Sequence, residues 1–303
     1  MDSSLFHPPL TFAAVPPPYG ELEGARCVVL PVPYDSTTEW RGGSRDGPMA
    51  IIDASQYLEH YDLELDWEPY LVGIHTLPEL EPSFAGPEPT IERVRAVVSE
   101  LAAQDKLVAM LGGEHSITVG AVRALVERHP GLSVLQLDAH ADLRSEYMGT
   151  PYSHACVMRR VVESCPIVPV GIRSMSIEER DFISQQGIEP FIASGAPMTQ
   201  GELSSIVRSL SGEVYITVDL DVFDPSLMPA VGTPEPGGLG WHQVLDIVRL
   251  VAGERLIVGF DVVELCPAEG QHACAYLAAR LAYKLIGYAL HRERGAHPHR
   301  PPM

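Results

Sequence analysis

The sequence predicts an α/β fold in which helices cover both faces of one parallel sheet. Two observations carry that expectation. Eight short runs are almost continuously Val, Ile and Leu instead of alternating apolar with polar, as strands buried on both faces are. Longer amphipathic runs lie between most of them, and a repeated strand–helix order leads to parallel pairing through crossovers.

In chain order, strands are expected at 27–33, 70–76, 107–111, 133–138, 167–172, 189–193, 214–221 and 256–264. Helices are expected at 90–104, 117–129, 176–187, 200–211, 241–253 and 273–290. The first 20 residues are Pro-rich and read as an arm lying on the surface or on a neighbouring subunit. Residues 292–303, polar and rich in Pro and His, read as a flexible tail. Neither a composition shift nor a repeat marks a boundary, so 1–303 is expected to be a single domain with ample material for a core.

Composition excludes several classes. No run of 18 apolar residues occurs and no basic segment precedes an apolar one at the N-terminus, which argues against a membrane span or a secretory signal. Five dispersed cysteines without a C-x-x-C pair fit reduced thiols in the cytoplasm. A formal charge of −19 repels nucleic acid, and the longest basic stretch is the tail HRERGAHPHR.

Three strand ends carry residues of metal-ligand type. The 133–138 run leads into Asp138-Ala139-His140-Ala141-Asp142, the 214–221 run ends in Asp219-Leu220-Asp221, and the 107–111 run is followed by Gly112-Gly113-Glu114-His115-Ser116. In parallel sheets ligands sit beyond the carboxyl ends of strands. Residues two apart in an extended segment project to one side, so Asp138, His140 and Asp142 can converge, as can Asp219 and Asp221. Four carboxylates in one crevice repel one another and favour partial protonation unless cations neutralise them. Four carboxylates and two imidazoles, with no cysteine, suit two manganese ions better than zinc.

Rival readings fail on residues. An EF-hand starting at Asp219 needs Gly and Glu where Asp224 and Ala230 stand, and no phosphate-binding G-x-x-x-x-G-K-[ST] occurs. An aspartyl phosphatase would leave the clusters at 115 and 138–142 without a purpose. Asp224-Pro225 reads as a turn or cap, Glu114 as a cap or a support behind the ligands, and His129, His242 and His272 as ordinary partly exposed histidines.

Gly-Gly-Glu-His-Ser (112–116), Asp-Ala-His-Ala-Asp (138–142) and Asp-Leu-Asp-Val-Phe-Asp-Pro (219–225), in this order, resemble the three signature motifs of the arginase/agmatinase (ureohydrolase) family. The resemblance runs from Pro33-Tyr34-Asp35 to Glu264. It implies a three-layer α/β/α sandwich with a mainly parallel eight-stranded sheet and two Mn2+ per subunit. One ion would be held by His115, Asp138, Asp142 and Asp219, the other by Asp138, His140, Asp219 and Asp221, with Asp138 and Asp219 bridging. Segments such as Tyr152-Ser153-His154 and 232–238 are more similar to agmatinases than to arginases, and Arg144 stands where arginases typically place Asn. Val231 departs from the Gly that many relatives have.

The resemblance also implies a mechanism. A hydroxide shared by the two ions would attack the guanidinium carbon, oriented by Asp142. His154 would move protons to the leaving amine and to bulk water, and Glu264 would grip the guanidinium by paired charged hydrogen bonds. Glu264 would otherwise be an unpaired buried carboxylate; Asp261 would stiffen the strand end, and Thr233 and Glu235 would shape the pocket. The expected reaction is agmatine to putrescine and urea, with another guanidino compound, guanidinobutyrate or arginine, as the alternative. A metal-dependent deacetylase needs fewer carboxylates, and a non-catalytic metal-binding regulator would lack His154 or Glu264. By resemblance the protein is expected to be a homo-oligomer, a trimer or hexamer, with a small cationic guanidino substrate as its partner.

Overall fold

In the computed structural model, described at residues 10–193 and 195–296, eight strands form one wholly parallel sheet. They are β1 Cys27–Val32, β2 Ile74–Thr76, β3 Leu107–Gly112, β4 Ser133–Leu137, β5 Ile167–Ile172, β6 Phe191–Ile192, β7 Glu213–Asp219 and β8 Leu256–Val263. Their order across the sheet is β2-β1-β3-β8-β7-β4-β5-β6. The helices are α1 Gly47–Ser55, α2 Pro87–Ala103, α3 Thr118–Arg128, α4 Val157–Val161, α5 Ile177–Gln186, α6 Gln200–Ser209, α7 Trp241–Glu254 and α8 His272–Leu290.

Two apolar layers flank the sheet. One gathers Ile51 and Ile52 of α1, Ile206 of α6, Val244 of α7 and Leu281 of α8. The other gathers Val94 of α2, Val122 of α3, Met158 of α4 and Ile183 of α5. Along β1, Cys27 and Val29 face the first layer while Val28 and Leu30 face the second. A strand apolar on both faces therefore shows no polar alternation, which is why the continuous runs were legible as parallel strands.

Several expected boundaries shift for local reasons. Only Ile74–Thr76 of the 70–76 run pairs; Pro69–Val72 is a 3-10 turn, broken from the strand by Gly73 at φ 79. The 189–193 run is reduced to two strand residues, and the 214–221 run stops at Asp219. Helices α1 and α4 were not expected; they have nine and five residues, too few turns for a clear helical period. The expected surface arm is corrected in part: Phe12, Ala13 and Val15 are buried in this chain's own core, while Leu10, Pro17 and Pro18 are exposed. Residues 1–9, and 297–303 of the expected tail, lie outside the described residues. His291–Ala296 forms a 3-10 turn, and Glu293 pairs with Arg26 at 2.8 Å. No helix among the described residues is long and apolar enough to cross a membrane.

Candidate metal centre

The four central strands, β3, β8, β7 and β4, are neighbours in the sheet although far apart in sequence. Their carboxyl ends therefore meet, and each delivers a polar segment to one crevice: His115 after β3, Glu264 after β8, Asp219 and Asp221 at β7, and 138–142 after β4. Gly113 makes the first of these possible, since a Cβ there would fall 1.9 Å from the Tyr34 carbonyl oxygen.

The acids converge by turns, which corrects the expectation of extended side-by-side projection. Asp219 caps a 3-10 turn at Leu220–Val222 by accepting the Asp221 N–H at 2.9 Å. Asp138 accepts the His140 N–H at 2.6 Å in the same way. Asp142 (φ 53) and Glu264 (φ 66) both have left-handed backbone, a conformation that costs non-glycine residues energy and clusters at functional sites.

Two groups of ligand atoms result, each with its atoms within 4.8 Å of one another: His115, Asp138 and Asp219, and Asp138, His140 and Asp221. Asp138 is common to both; Asp219 enters only the first. His115 Nδ1 lies 3.1 Å from Asp142, 3.3 Å from Asp138 and 3.5 Å from Asp219. His140 Nδ1 lies 2.8 Å from Asp221. All but His140 are buried.

The chemistry of His115 tests whether this set suits a cation. Its Nε2 lies 2.8 Å from Thr217 Oγ1, and that hydroxyl donates its one hydrogen to Asp261 Oδ1 at 2.6 Å. Thr217 must then accept from Nε2–H, which leaves the neutral ring a bare lone pair on Nδ1. Nδ1 is buried, makes no hydrogen bond of normal geometry, and faces three carboxylates. A lone pair aimed among acceptors fits a divalent cation, so the donor set fits the metal its residue types suggest.

Electrostatics agree. Burial pushes Asp138 up to about 7, helped by the charges of Asp142 and Asp221. Burial and the neighbouring Asp221 and Asp138 raise Asp219 well above the ordinary carboxylate range. Burial would pull His115 down, yet the facing Asp138 and Asp142 hold it well above its usual value, drawing to Nδ1 a proton whose place a cation would take. Burial also disfavours charge on Asp221, which His140 nevertheless holds low. This is the protonation pattern of acids crowded together without a cation.

Above the acids lies a pocket of about 260 Å3, lined among others by His140, Asp142, His154, Asp219, Thr233 and Glu264. Glu264 Oε1 accepts the His115 N–H at 2.6 Å, so the carboxylate expected to lack a partner has one oxygen held. Burial raises Glu264 to about 8. His154, near the start of α4, pairs with Glu39 at 2.9 Å.

A model of the arginase family matches residues 25–287. The chain belongs to the arginase family. It is 38% identical to the N(1)-aminopropylagmatine ureohydrolase of a Synechocystis species, over 93% of this chain and 97% of that one. With the N(1)-aminopropylagmatine ureohydrolase of Thermus thermophilus it shares 43% identity over 92% and 94% of the two chains. The crystal structure of the agmatine ureohydrolase of Thermoplasma volcanium superposes with a TM-score of 0.85 at 34% identity, covering 97% of this chain and 98% of that one. This arginase-family chain is thus an agmatinase-like ureohydrolase, a hydrolase of C–N bonds.

The side chains that support this arginase-family centre were only partly foreseen: Glu114 was expected as a cap or a support, while Thr37, Glu39 and Thr217 were not named. Asp261, expected to stiffen a strand end, instead accepts from Thr118, Tyr215 and Thr217 and so orients His115 through Thr217. Glu114 accepts from Ser36 N, Thr37 N, Thr37 Oγ1 and Ser116 Oγ, tying the loop after β1 to the centre. Thr37 and Glu39 were not singled out, although polar residues beyond a carboxyl strand end were the available signal. Asp224 holds Ser226, Gly237 and Gly238 in a turn, as expected.

Proposed function

We propose that this chain uses two manganese ions to hydrolyse the guanidino group of a linear, agmatine-type cation to urea and an amine. The observation that carries the reading is the shared Asp138, which joins two ligand groups whose His140 and Asp219 line the same pocket as His154 and Glu264. His115, Asp138, Asp142 and Asp219 would hold one ion, and Asp138, His140, Asp219 and Asp221 the other. Bound there, the ions supply water acidified enough to be a nucleophile near neutral pH.

The chain's own groups do the rest. Glu264 has Oε1 fixed by the His115 N–H, which orients Oε2 for the guanidinium; that contact is a charge-assisted hydrogen bond. Asp142 orients the attacking water. As the C–N bond breaks, His154 donates a proton to the departing nitrogen. The same reading makes the enzyme a cytoplasmic homo-oligomer, a trimer or hexamer, with 1–303 as one domain.

Identities of 38% and 43% with proteins named for N(1)-aminopropylagmatine support that extended cation ahead of agmatine, the substrate that the motifs favoured. Glu179 in the pocket wall suits a cationic chain. A second reading, a guanidino acid such as guanidinobutyrate or arginine, is favoured by Arg41 and Arg144 in the same wall. Urea release by the manganese-loaded protein from all four compounds decides among them. The expected kcat/KM is highest for N(1)-aminopropylagmatine; urea from none of them overturns the proposal and revives a regulatory role.

A further inference from the structure

The loop after β1 brings two residues to opposite sides of the His154 ring. Thr37 Oγ1 lies 3.2 Å from Nδ1 and also accepts the His154 backbone N–H at 3.0 Å. That hydroxyl donates to Glu114 Oε1 at 2.8 Å, and the same carboxylate also accepts from Ser36 N, Thr37 N and Ser116 Oγ. Thr37 must then accept from the ring, and Nδ1 carries a hydrogen. On the other side Nε2 lies 2.9 Å from Glu39 Oε2. A lone pair on Nε2 would oppose a carboxylate oxygen, so Nε2 carries a hydrogen too. The ring is an imidazolium.

The surroundings agree. Burial lowers the His154 pKa, but the bond to Glu39 and the charges of Glu264 and Asp142 raise it to about 9. The same bond holds Glu39 below the ordinary carboxylate value. The groups that face the ring are Glu39 from the loop after β1, Asp142 from the loop after β4, Glu264 from the end of β8, Glu114 behind Thr37, and the Tyr147 ring, edge-on at 6.5 Å. Of these acids, Glu39 is the one whose oxygen lies within ion-pair distance of the ring, and its side chain is 31% exposed against 14% for His154.

We propose that Glu39 is a positioning residue that keeps His154 charged as the proton donor and returns a proton to it from solvent. This rests on the reading that His154 protonates the leaving amine. Anchored at Nδ1 by Thr37, the ring exchanges its Nε2–H partner from Glu39 to the departing nitrogen. When the C–N bond breaks, its electron pair stays on that nitrogen, which takes the Nε2 hydrogen and leaves the ring neutral. Solvent then reprotonates Nε2 through Glu39, and the proton released by the attacking water balances the cycle.

The test compares wild type, Glu39→Gln and Glu39→Asp. The pH dependence of kcat is measured on manganese-loaded protein, and the His154 titration by histidine 15N NMR with Mg2+ replacing Mn2+. The His154 resonances are assigned by their absence from His154→Asn. A donor must be protonated, so activity is lost as pH rises through its pKa. Removing the Glu39 charge is expected to move that alkaline limb and the NMR midpoint down together by about one unit, roughly tenfold in kcat on the alkaline side. KM should change by less than about twofold, and Glu39→Asp should restore most of the shift. Unmoved midpoints overturn the proposal, as does a rise in KM with kcat and its pH limb unchanged, which would make Glu39 a substrate contact. If wild type releases no urea from any guanidino compound, the functional reading fails and the catalytic role of Glu39 with it, while a shifted NMR midpoint still establishes the pairing.

Discussion

Asp62 and Asp138 are buried to nearly the same degree, 3% and 0% exposed, yet their neutralisation differs. Asp62 has Lys284 Nζ at 2.8 Å, and that ammonium also meets Glu64 at 2.7 Å, with Tyr288 and Arg249 completing the cluster. Burial disfavours charge on Glu64, but Lys284 and Tyr288 outweigh it and hold the carboxyl below its ordinary value. Among the described residues Asp138 has no ammonium or guanidinium beside it; it accepts from the Gln136 amide and the His140 N–H, and its charged neighbours are imidazoles and further carboxylates, so it is pushed up to about 7. The first cluster carries its own cation and serves the fold. The second leaves a lone pair and several acids aimed at common points, which suits a cation taken from solution. A buried acid is thus informative mainly through what neutralises it.

The largest effect that could break this contrast is in Asp138→Asn. On the proposed two-manganese reading, the variant is expected to lose both ions and turnover on the order of a thousandfold or more, about 4 kcal/mol in the barrier. Metal analysis finding a wild-type content would remove Asp138 from its bridging place. His154→Asn sharpens the contrast from the other side: it should keep both ions and slow urea release by roughly a hundredfold or more. Undiminished turnover would make His154 a structural residue.

Thr217→Val removes the acceptor that fixes the His115 tautomer. Manganese affinity, followed by electron paramagnetic resonance titration, should weaken roughly ten- to a hundredfold. An unchanged affinity would leave the Thr217–Asp261 pair as packing alone. Lys284→Met should touch the reaction least. It strands Asp62 without its ammonium and should cost about 3 kcal/mol in a denaturant titration, at the lower end because Glu64 remains partly exposed. Metal content and kcat of the folded protein should stay at wild-type level; a loss of metal there would show the two acid clusters to be coupled.

Much of this was legible in advance. The eight strands, six of the eight helices among the described residues and the eight candidate site residues His115, Asp138, His140, Asp142, His154, Asp219, Asp221 and Glu264 were all named from the chain, and the structure brings those eight candidates to one crevice. Short elements such as α1 and α4 escaped because a helical period needs more turns to show. The burial of Phe12 escaped because a Pro-rich segment does not reveal what its aromatics will cover.

From the sequence alone came the parallel sheet, its apolar layers and the kinds of side chain at its strand ends, because periodicity and strand-end composition are local properties. Only the tertiary structure decided which partners those side chains have. The order β3-β8-β7-β4 sets Thr217 and Asp261 behind His115, and the loop after β1 sets Thr37 and Glu39 around His154. Protonation and tautomer follow from such neighbours, and residues so far apart along a chain become neighbours only through the order of the sheet and the course of its loops.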